Sequence, residues 1–509
     1  MKLRNVIPSS RRHPSAQSPR RGLLAASCAL ARSILATSSG PLVACSFLAL
    51  GGLPATAFAG ADVRHYDLDL KIDPATVAFD ATADVVIEAR RGEGPLTSFT
   101  LDFVGFTLSS ATWSGGLATI ARDNGTLTVT LAAPLPEGQQ GTLTLAYTGV
   151  PQPYISENGN LGVMQGKDIT FTINVTDGAR FWFPCRDQLD DKATVDLALT
   201  LPTGYESAGP GHLVGVNAAG AGLEKHQWSM AQEVTPYLIS FAFSAEYQRE
   251  RFTLDLASGP LIADIALLPE QWPGAWGDLE PVPDMLDWLE ARYGVFPYDQ
   301  MGMHEVAYPG CVEQPGNISV GSFYWTGNAS LQVYFAHELA HSWFQGLVTI
   351  REWNDIFLDE SIASWHELTW TEQSSGIEAA DTLAFTYLEA YLIGAVDEGT
   401  FSLADPDVLF GYTTYMKGAV VWRLLEHLMG REALAGVLRT YLTDGDGIAD
   451  LDDFFALIDA QHDPNLAMFR EEWIERAGLP SYRFGWRSDV TDDGFGLALR
   501  LAQDSSNLY

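Results

Sequence analysis

The sequence predicts an α+β multidomain chain, with strands first and helices after them. Three observations carry this. Runs of alternating apolar and polar residues recur from Ala61 to about Glu250. Near Phe252 the apolar spacing lengthens to that of helices, which dominate to about Ala477. After Pro480 the alternation returns.

The elements follow in order. Residues 1–59 carry Lys2, Arg4, Arg11, Arg12, Arg20, Arg21 and Arg32 and no acid, ahead of the apolar run Pro41 to Ala59. Ala57-Phe58-Ala59 is an A-x-A cleavage pattern, so this segment reads as an export signal and the mature chain is expected from Gly60. Arg20-Arg21 is weakly like a twin-arginine signal, and Leu42 to Cys45 weakly like a lipidation site. The expected address is therefore periplasmic or extracellular. Membrane association is expected only if this segment is retained or lipidated.

Residues 60–250 form the first domain. His65 to Ile72 and Thr126 to Leu131 alternate with period two. In Thr82–Ala89 the odd positions are apolar and the even ones polar, except Val86. Gly, Pro, Asn and Asp clusters separate these runs, as in a sandwich of antiparallel sheets. Residues 251–478 form the second domain. Its short strands lead into helices expected at Val282–Tyr293, Ser330–Gly346, Glu360–Glu372, Ala379–Leu392 and Tyr415–Met429. Residues 479–509 carry strands at 482–486 and 496–501 and read as the start of an incomplete C-terminal β domain.

The 509 residues supply ample material for a core, at 47% hydrophobic. The net charge of −34 excludes nucleic acid and anionic membrane surfaces as natural partners. Of the four cysteines, Cys28 and Cys45 lie in the leader, and Cys185 and Cys311 are expected as free, buried thiols.

The chemistry concentrates in Val333 to Glu360. His337-Glu338-Leu339-Ala340-His341 is an H-E-x-x-H motif, and on a helix its two imidazoles share one face and one metal. Tyr334, Phe335, Leu339, Trp343, Phe344 and Leu347 surround the pair, so the helix is expected to be buried. Buried imidazoles and a carboxylate need a partner, and a metal provides one. Zinc hydrolases use three protein ligands and leave a fourth position for water. A metzincin would need a glycine and a third histidine downstream, where Phe344 and Leu347 stand. Glu360, separated from His341 by eighteen residues, is the candidate third ligand.

This segment resembles the catalytic core of the membrane alanyl aminopeptidase and leukotriene hydrolase family of zinc peptidases, the gluzincins. Their pattern is H-E-x-x-H, eighteen residues, then a glutamate in W-L-N-E-G; here Phe357-Leu358-Asp359-Glu360-Ser361 keeps the glutamate and changes its neighbours. Ala179 to Asp187 (ARFWFPCRD) and Asp191-Lys192-Ala193-Thr194 resemble a structural corner of the family's N-terminal saddle domain. The resemblance implies a thermolysin-like catalytic domain and the first hairpin of a third, β-sandwich domain. It also implies one zinc ion per chain, held by His337, His341 and Glu360, and a peptide substrate with a free N-terminus. Glu338 would be the general base.

Gly310-Cys311-Val312-Glu313-Gln314 stands in the place of the family's G-x-M-E-N. By that resemblance Glu313 binds the substrate's α-ammonium, and Gly310 and Gln314 belong to the peptide-binding strand. Tyr415-Met416-Lys417-Gly418 resembles the Y-x-K-G helix start, whose tyrosine donates to the oxyanion. One departure stands out. Where relatives carry T-Q-x-E, this chain has Thr172-Ile173-Asn174-Val175, with both polar anchors apolar and Asp177, two residues on, the candidate replacement. Asp355 is a candidate partner for a ligand histidine.

The expected function is zinc-dependent hydrolysis of the N-terminal peptide bond. The alternatives are a zinc hydrolase with loosened amine selectivity, epoxide hydrolysis, and a catalytically silent binding homologue.

Overall fold

The computed structural model describes residues 60–152, 154–156, 159–461, 466–491 and 494–503. The leader, with its cleavage, twin-arginine and lipidation readings, lies outside the described residues. Among the described residues no helix is long and apolar enough to cross a membrane. One compact unit runs to Arg351 and takes in Leu442–Ile448; the other comprises Glu352–Tyr441 and the chain from Ala449.

The first unit is built on sheets. A seven-stranded sheet has the order His212–Gly220, Leu223–Val234, Ala193–Pro202, Ala61–Asp73, Ala78–Ala89, Gln140–Gly149, Thr107–Trp113. Its strand Ala61–Asp73 buries alternate residues, so Tyr66, Leu68 and Leu70 face the core while Asp67, Asp69 and Lys71 do not. The antiparallel expectation needs one correction. Ala61–Asp73 pairs parallel with Ala193–Pro202, with Tyr66 opposite Val195 and Leu68 opposite Leu197. Strand alternation reports which face is buried and says nothing of the neighbour's direction.

The expected corner is an ion-paired one. Arg180 Nε donates to Asp187 Oδ2 at 2.8 Å, Arg186 lies 3.3 Å from Asp191, and Asp191 Oδ1 accepts the Val63 amide at 3.2 Å. Burial of both charges is tolerated because each is paired.

A five-stranded mixed sheet, in the order Gln248–Leu256, Gly259–Leu267, Gln300–Val306, Asn317–Gly321, Cys311–Val312, follows. Gln300–Val306 and Asn317–Gly321 are buried throughout, as strands covered on both faces are. Cys311–Val312 is the edge strand. Helix α1 spans Trp272–Leu279 and α2 spans Val282–Tyr293, the latter with the expected bounds.

Helix α3, Gln332–Ala340, carries the metal-binding motif and is anchored through the loop before it. Asp278 of α1, buried, accepts from Thr326 Oγ1 at 2.7 Å and from the amides of Gly327, Asn328 and Ala329 at 2.7, 3.1 and 2.8 Å. A Cβ on Gly277 would meet Gly327 O at 2.4 Å, so the loop lies directly on the α1 backbone. Asp278→Ala strands these donors. It is expected to cost about 3 kcal/mol of stability, read as a lowered denaturant midpoint, with Asp278→Asn recovering part of the loss.

In the second unit, α4 (Glu360–Ser375) is buried from Glu360 through Trp370. Helix α5 spans Ile377–Glu398, and after a π-helical turn at Thr413–Lys417 helix α6 runs Gly418–Met429. Phe357 and Trp422 stack at 4.8 Å, and Trp422 Nε1 donates to Phe357 O at 3.0 Å. The hairpin Tyr482–Thr491 and Gly494–Gln503 pairs antiparallel.

Candidate metal and peptide site

The expected helix at 330–346 ends early. Helix α3 stops at Ala340, and His341 is its cap, still right-handed (φ −59°, ψ −18°), with its amide donating to His337 O at 3.3 Å. The i, i+4 stacking therefore survives the helix end, and the two imidazole centroids lie 4.9 Å apart. The chain then reverses through Gln345, whose φ of 92° is left-handed, and Gly346, where a Cβ would meet Tyr298 Oη at 2.1 Å. Lys192 secures this turn. Its Nζ donates to the carbonyls of Gly346, Leu347 and Gly447 at 3.3, 2.8 and 3.3 Å, and burial lowers its pKa to about 8.

Glu360 opens α4. The ligand atoms of His337, His341 and Glu360 lie within 4.8 Å of one another, all three residues buried. That is the neighbourhood one zinc ion with bonds of about 2 Å requires. The donor set fits as well. His341 Nδ1 lies 3.3 Å from Phe344 O, which can only accept, so Nδ1 carries the proton and Nε2 keeps its lone pair for a metal. Glu338 is buried beside the triad's first histidine.

Glu313 follows the edge strand directly. Tyr237 donates its hydroxyl to Glu313 Oε1 at 2.7 Å. Burial first, and the Glu313 charge second, raise the pKa of Tyr298 and Tyr308, so three tyrosines share its surroundings. Gly310 O accepts the Gly321 amide at 3.0 Å. Gln314 is buried, with Ser319 Oγ of the neighbouring strand donating to its Oε1. Cys185 and Cys311 are both free; Cys185 is buried and Cys311 only partly so.

Tyr415 lies in the π-helical turn, partly exposed. Ser361, next to Glu360, donates to Thr414 O at 2.6 Å, and a Cβ on Gly418 would meet Ser361 Oγ at 2.1 Å. The glycine thus lets the start of α4 close onto the tyrosine's turn. Lys417 Nζ donates to Arg476 O at 3.2 Å, and burial lowers its pKa to about 8.

The apolar departure is real in space. Ile173 is buried in a cluster with Val306 and Val312, with Val175 packed on it. Asn174 instead points inward, donating to Tyr237 O and Ile239 O and accepting from Trp182 Nε1. Asp177 accepts from Thr176 at 3.4 Å and lies 3.8 Å from Arg180.

Asp355 takes a different part from the one expected. Its Oδ1 accepts the Leu451 amide at 3.1 Å, at the start of the helix Leu451–Gln461. Burial, followed by the Asp450 and Glu352 charges, pushes its pKa up to about 6, against hydrogen bonds that pull it down. A raised carboxyl value means a stability contribution present below 3.8 and lost as pH rises through about 6. Asp355→Asn keeps the acceptor without the charge. It is expected to match the wild type near pH 3.5 and exceed it by about 1–2 kcal/mol at pH 7.5, by denaturant titration at both.

Two residues beside Glu313 carry no motif: Tyr237 and Gln345. The Gln345-Gly346 pair directly after the motif helix signals a reversal, but no local pattern joins it to Tyr237.

The comparisons with known proteins agree with this geometry. The model of the peptidase M1 N-terminal domain matches residues 63–238, and that of the peptidase family M1 domain matches 326–473. An aminopeptidase N of Lactobacillus delbrueckii is 24% identical over 462 residues, covering 82% of this chain and 51% of its own length. The tricorn protease-interacting factor F2 of Thermoplasma volcanium is 24% identical, covering 65% of this chain and 44% of its own. This chain thus spans about half the length of the curated relatives it matches. An M1 zinc metallopeptidase from Deinococcus radiodurans has the same fold, with a TM-score of 0.74 at 23% identity over 83% of this chain and 95% of its own. A mutant of the Deinococcus enzyme was crystallised with a Tyr-Ser-Ala substrate. With both domain models matched in order and the His-His-Glu cluster in place, the chain belongs to peptidase family M1.

Proposed function

We propose that this protein is a zinc-dependent aminopeptidase that removes the first residue of peptides. The observation that carries the reading is the buried cluster of His337, His341 and Glu360 with Glu338 beside it. Zinc held by these three ligands supplies Lewis acidity toward the scissile carbonyl and lowers the pKa of water. Glu338 takes the proton of the attacking water and passes it to the leaving amine. The Tyr415 hydroxyl donates to the developing oxyanion. Glu313 pairs with the substrate's α-ammonium, and the open edge of Cys311–Val312 takes the extended peptide as an added strand. The tripeptide bound by the Deinococcus enzyme supports a substrate of this shape.

The packing of Ile173 and Val175 favours a second reading, a peptidase with looser amine selectivity, because those positions offer no polar group to the amine. The basic leader and Ala57-Phe58-Ala59 support export to the periplasm or the medium. The test is hydrolysis of leucyl anilide beside its N-acetylated twin by zinc-loaded protein, with Glu338→Gln as the blank. Cleavage of the free amine alone supports the aminopeptidase. Equal cleavage of both supports the second reading. Cleavage of neither, with zinc bound, overturns both.

A further inference from the structure

We infer that Gln345 is a positioning residue for amine recognition, acting on Glu313 through the Tyr237 hydroxyl. The inference rests on the reading of Glu313 as the α-ammonium anchor.

Gln345 is fully buried and left-handed, at φ 92°. A side chain at such an angle costs about 1–3 kcal/mol, and surrounding bonds must hold it there. Four do. Its amide donates to Val348 O at 2.8 Å, and its carbonyl accepts from Thr349 Oγ1 at 2.8 Å. Its Oε1 accepts the Ile350 amide at 3.0 Å, and its Nε2 donates to Tyr237 Oη at 2.7 Å.

These bonds give the chain of contacts a direction. The Ile350 amide can only donate, so the oxygen of the Gln345 carboxamide must face it. The NH2 end then faces Tyr237, whose oxygen accepts. The hydroxyl proton is left to point away from Gln345, and Glu313 Oε1 lies 2.7 Å off to receive it. Every link from Ile350 to Glu313 is thus polarised the same way, and such chains strengthen their members. The result is a Glu313 carboxylate with one oxygen, Oε1, held in place. An anchor fixed before binding loses less entropy on meeting its ligand. Where Ile173 and Val175 give the amine no support, the aim of Glu313 matters more.

The test compares Gln345→Gly, Tyr237→Phe and the double variant in zinc-loaded full-length protein, on leucyl anilide and its acetylated twin. Glycine relieves the φ of 92°, so Gln345→Gly is expected to fold; Gln345→Met, which keeps the volume and loses both amide groups, serves if it does not. Each single variant is expected to raise KM for the free amine about tenfold with kcat changed less than about threefold. The double variant should be no worse than Tyr237→Phe, since both cut one chain. A merely structural role would instead lower kcat or the thermal midpoint on both substrates. An unchanged KM in folded Gln345→Gly, or additive losses in the double variant, overturns the inference. Wild-type protein that cuts both twins equally overturns it too, by removing the reading of Glu313 beneath it. Discrimination undiminished in the Gln345 variant, beside a wild type that discriminates, overturns the relay alone.

Discussion

Glu338→Gln is expected to lower kcat about a thousandfold, with KM and zinc content close to wild type. The amide has the shape of the carboxylate and keeps its place on α3, but it cannot accept a proton. General-base catalysis contributes about 10²–10⁴ in rate, so the loss corresponds to about 4 kcal/mol of barrier. Glu338 is not among the three clustered ligand residues, so zinc should stay. Its interaction is made in the transition state, so kcat and kcat/KM should fall together. Steady-state kinetics beside metal analysis of the same sample checks this. A variant that keeps a tenth of wild-type kcat would move the proton transfer elsewhere.

Tyr415→Phe should cost about a hundredfold in kcat, the range seen when one oxyanion donor is removed. The ring stays and only the hydroxyl goes. The π-helical turn is held independently, by Ser361 on Thr414 O at 2.6 Å and by the close approach of Ser361 to Gly418. The thermal midpoint and KM should therefore hold while kcat drops. A kcat within threefold of wild type would remove Tyr415 from the oxyanion site. Gly418→Ala offers a contrast, because its methyl drives into Ser361 and should disturb Glu360 and Tyr415 together.

Much of this is legible in the sequence alone. Helix α2 has the bounds its apolar spacing predicts, because Met285, Leu286 and Leu289 lie on one turn-to-turn stripe. The metal cluster was readable because i, i+4 spacing on a helix leaves little freedom to two side chains. The rest depends on contacts between distant segments. The helix end at Ala340 is set by the reversal at Gln345, which Lys192 and Val348 hold in place. Asp355, a candidate partner for a ligand histidine on the sequence, instead accepts the amide of Leu451, 96 residues on. The Gln345 to Tyr237 bond spans 108 residues and leaves no periodic trace.

The parallel pairing of Ala61–Asp73 with Ala193–Pro202 has a consequence for how the protein comes to be folded. The bond between His65 and Thr194 closes a separation of 129 residues. Ala61–Asp73 can pair at once with Ala78–Ala89, but its other edge stays open until Ala193–Pro202 has been made. Such closure is slow, because chain entropy is lost before the contact repays it. During that interval Tyr66, Leu68 and Leu70 lack part of their cover, so the early chain presents an apolar sheet edge to its neighbours. The yield of native protein should therefore be governed by the half-made sheet, well before the zinc ligands meet.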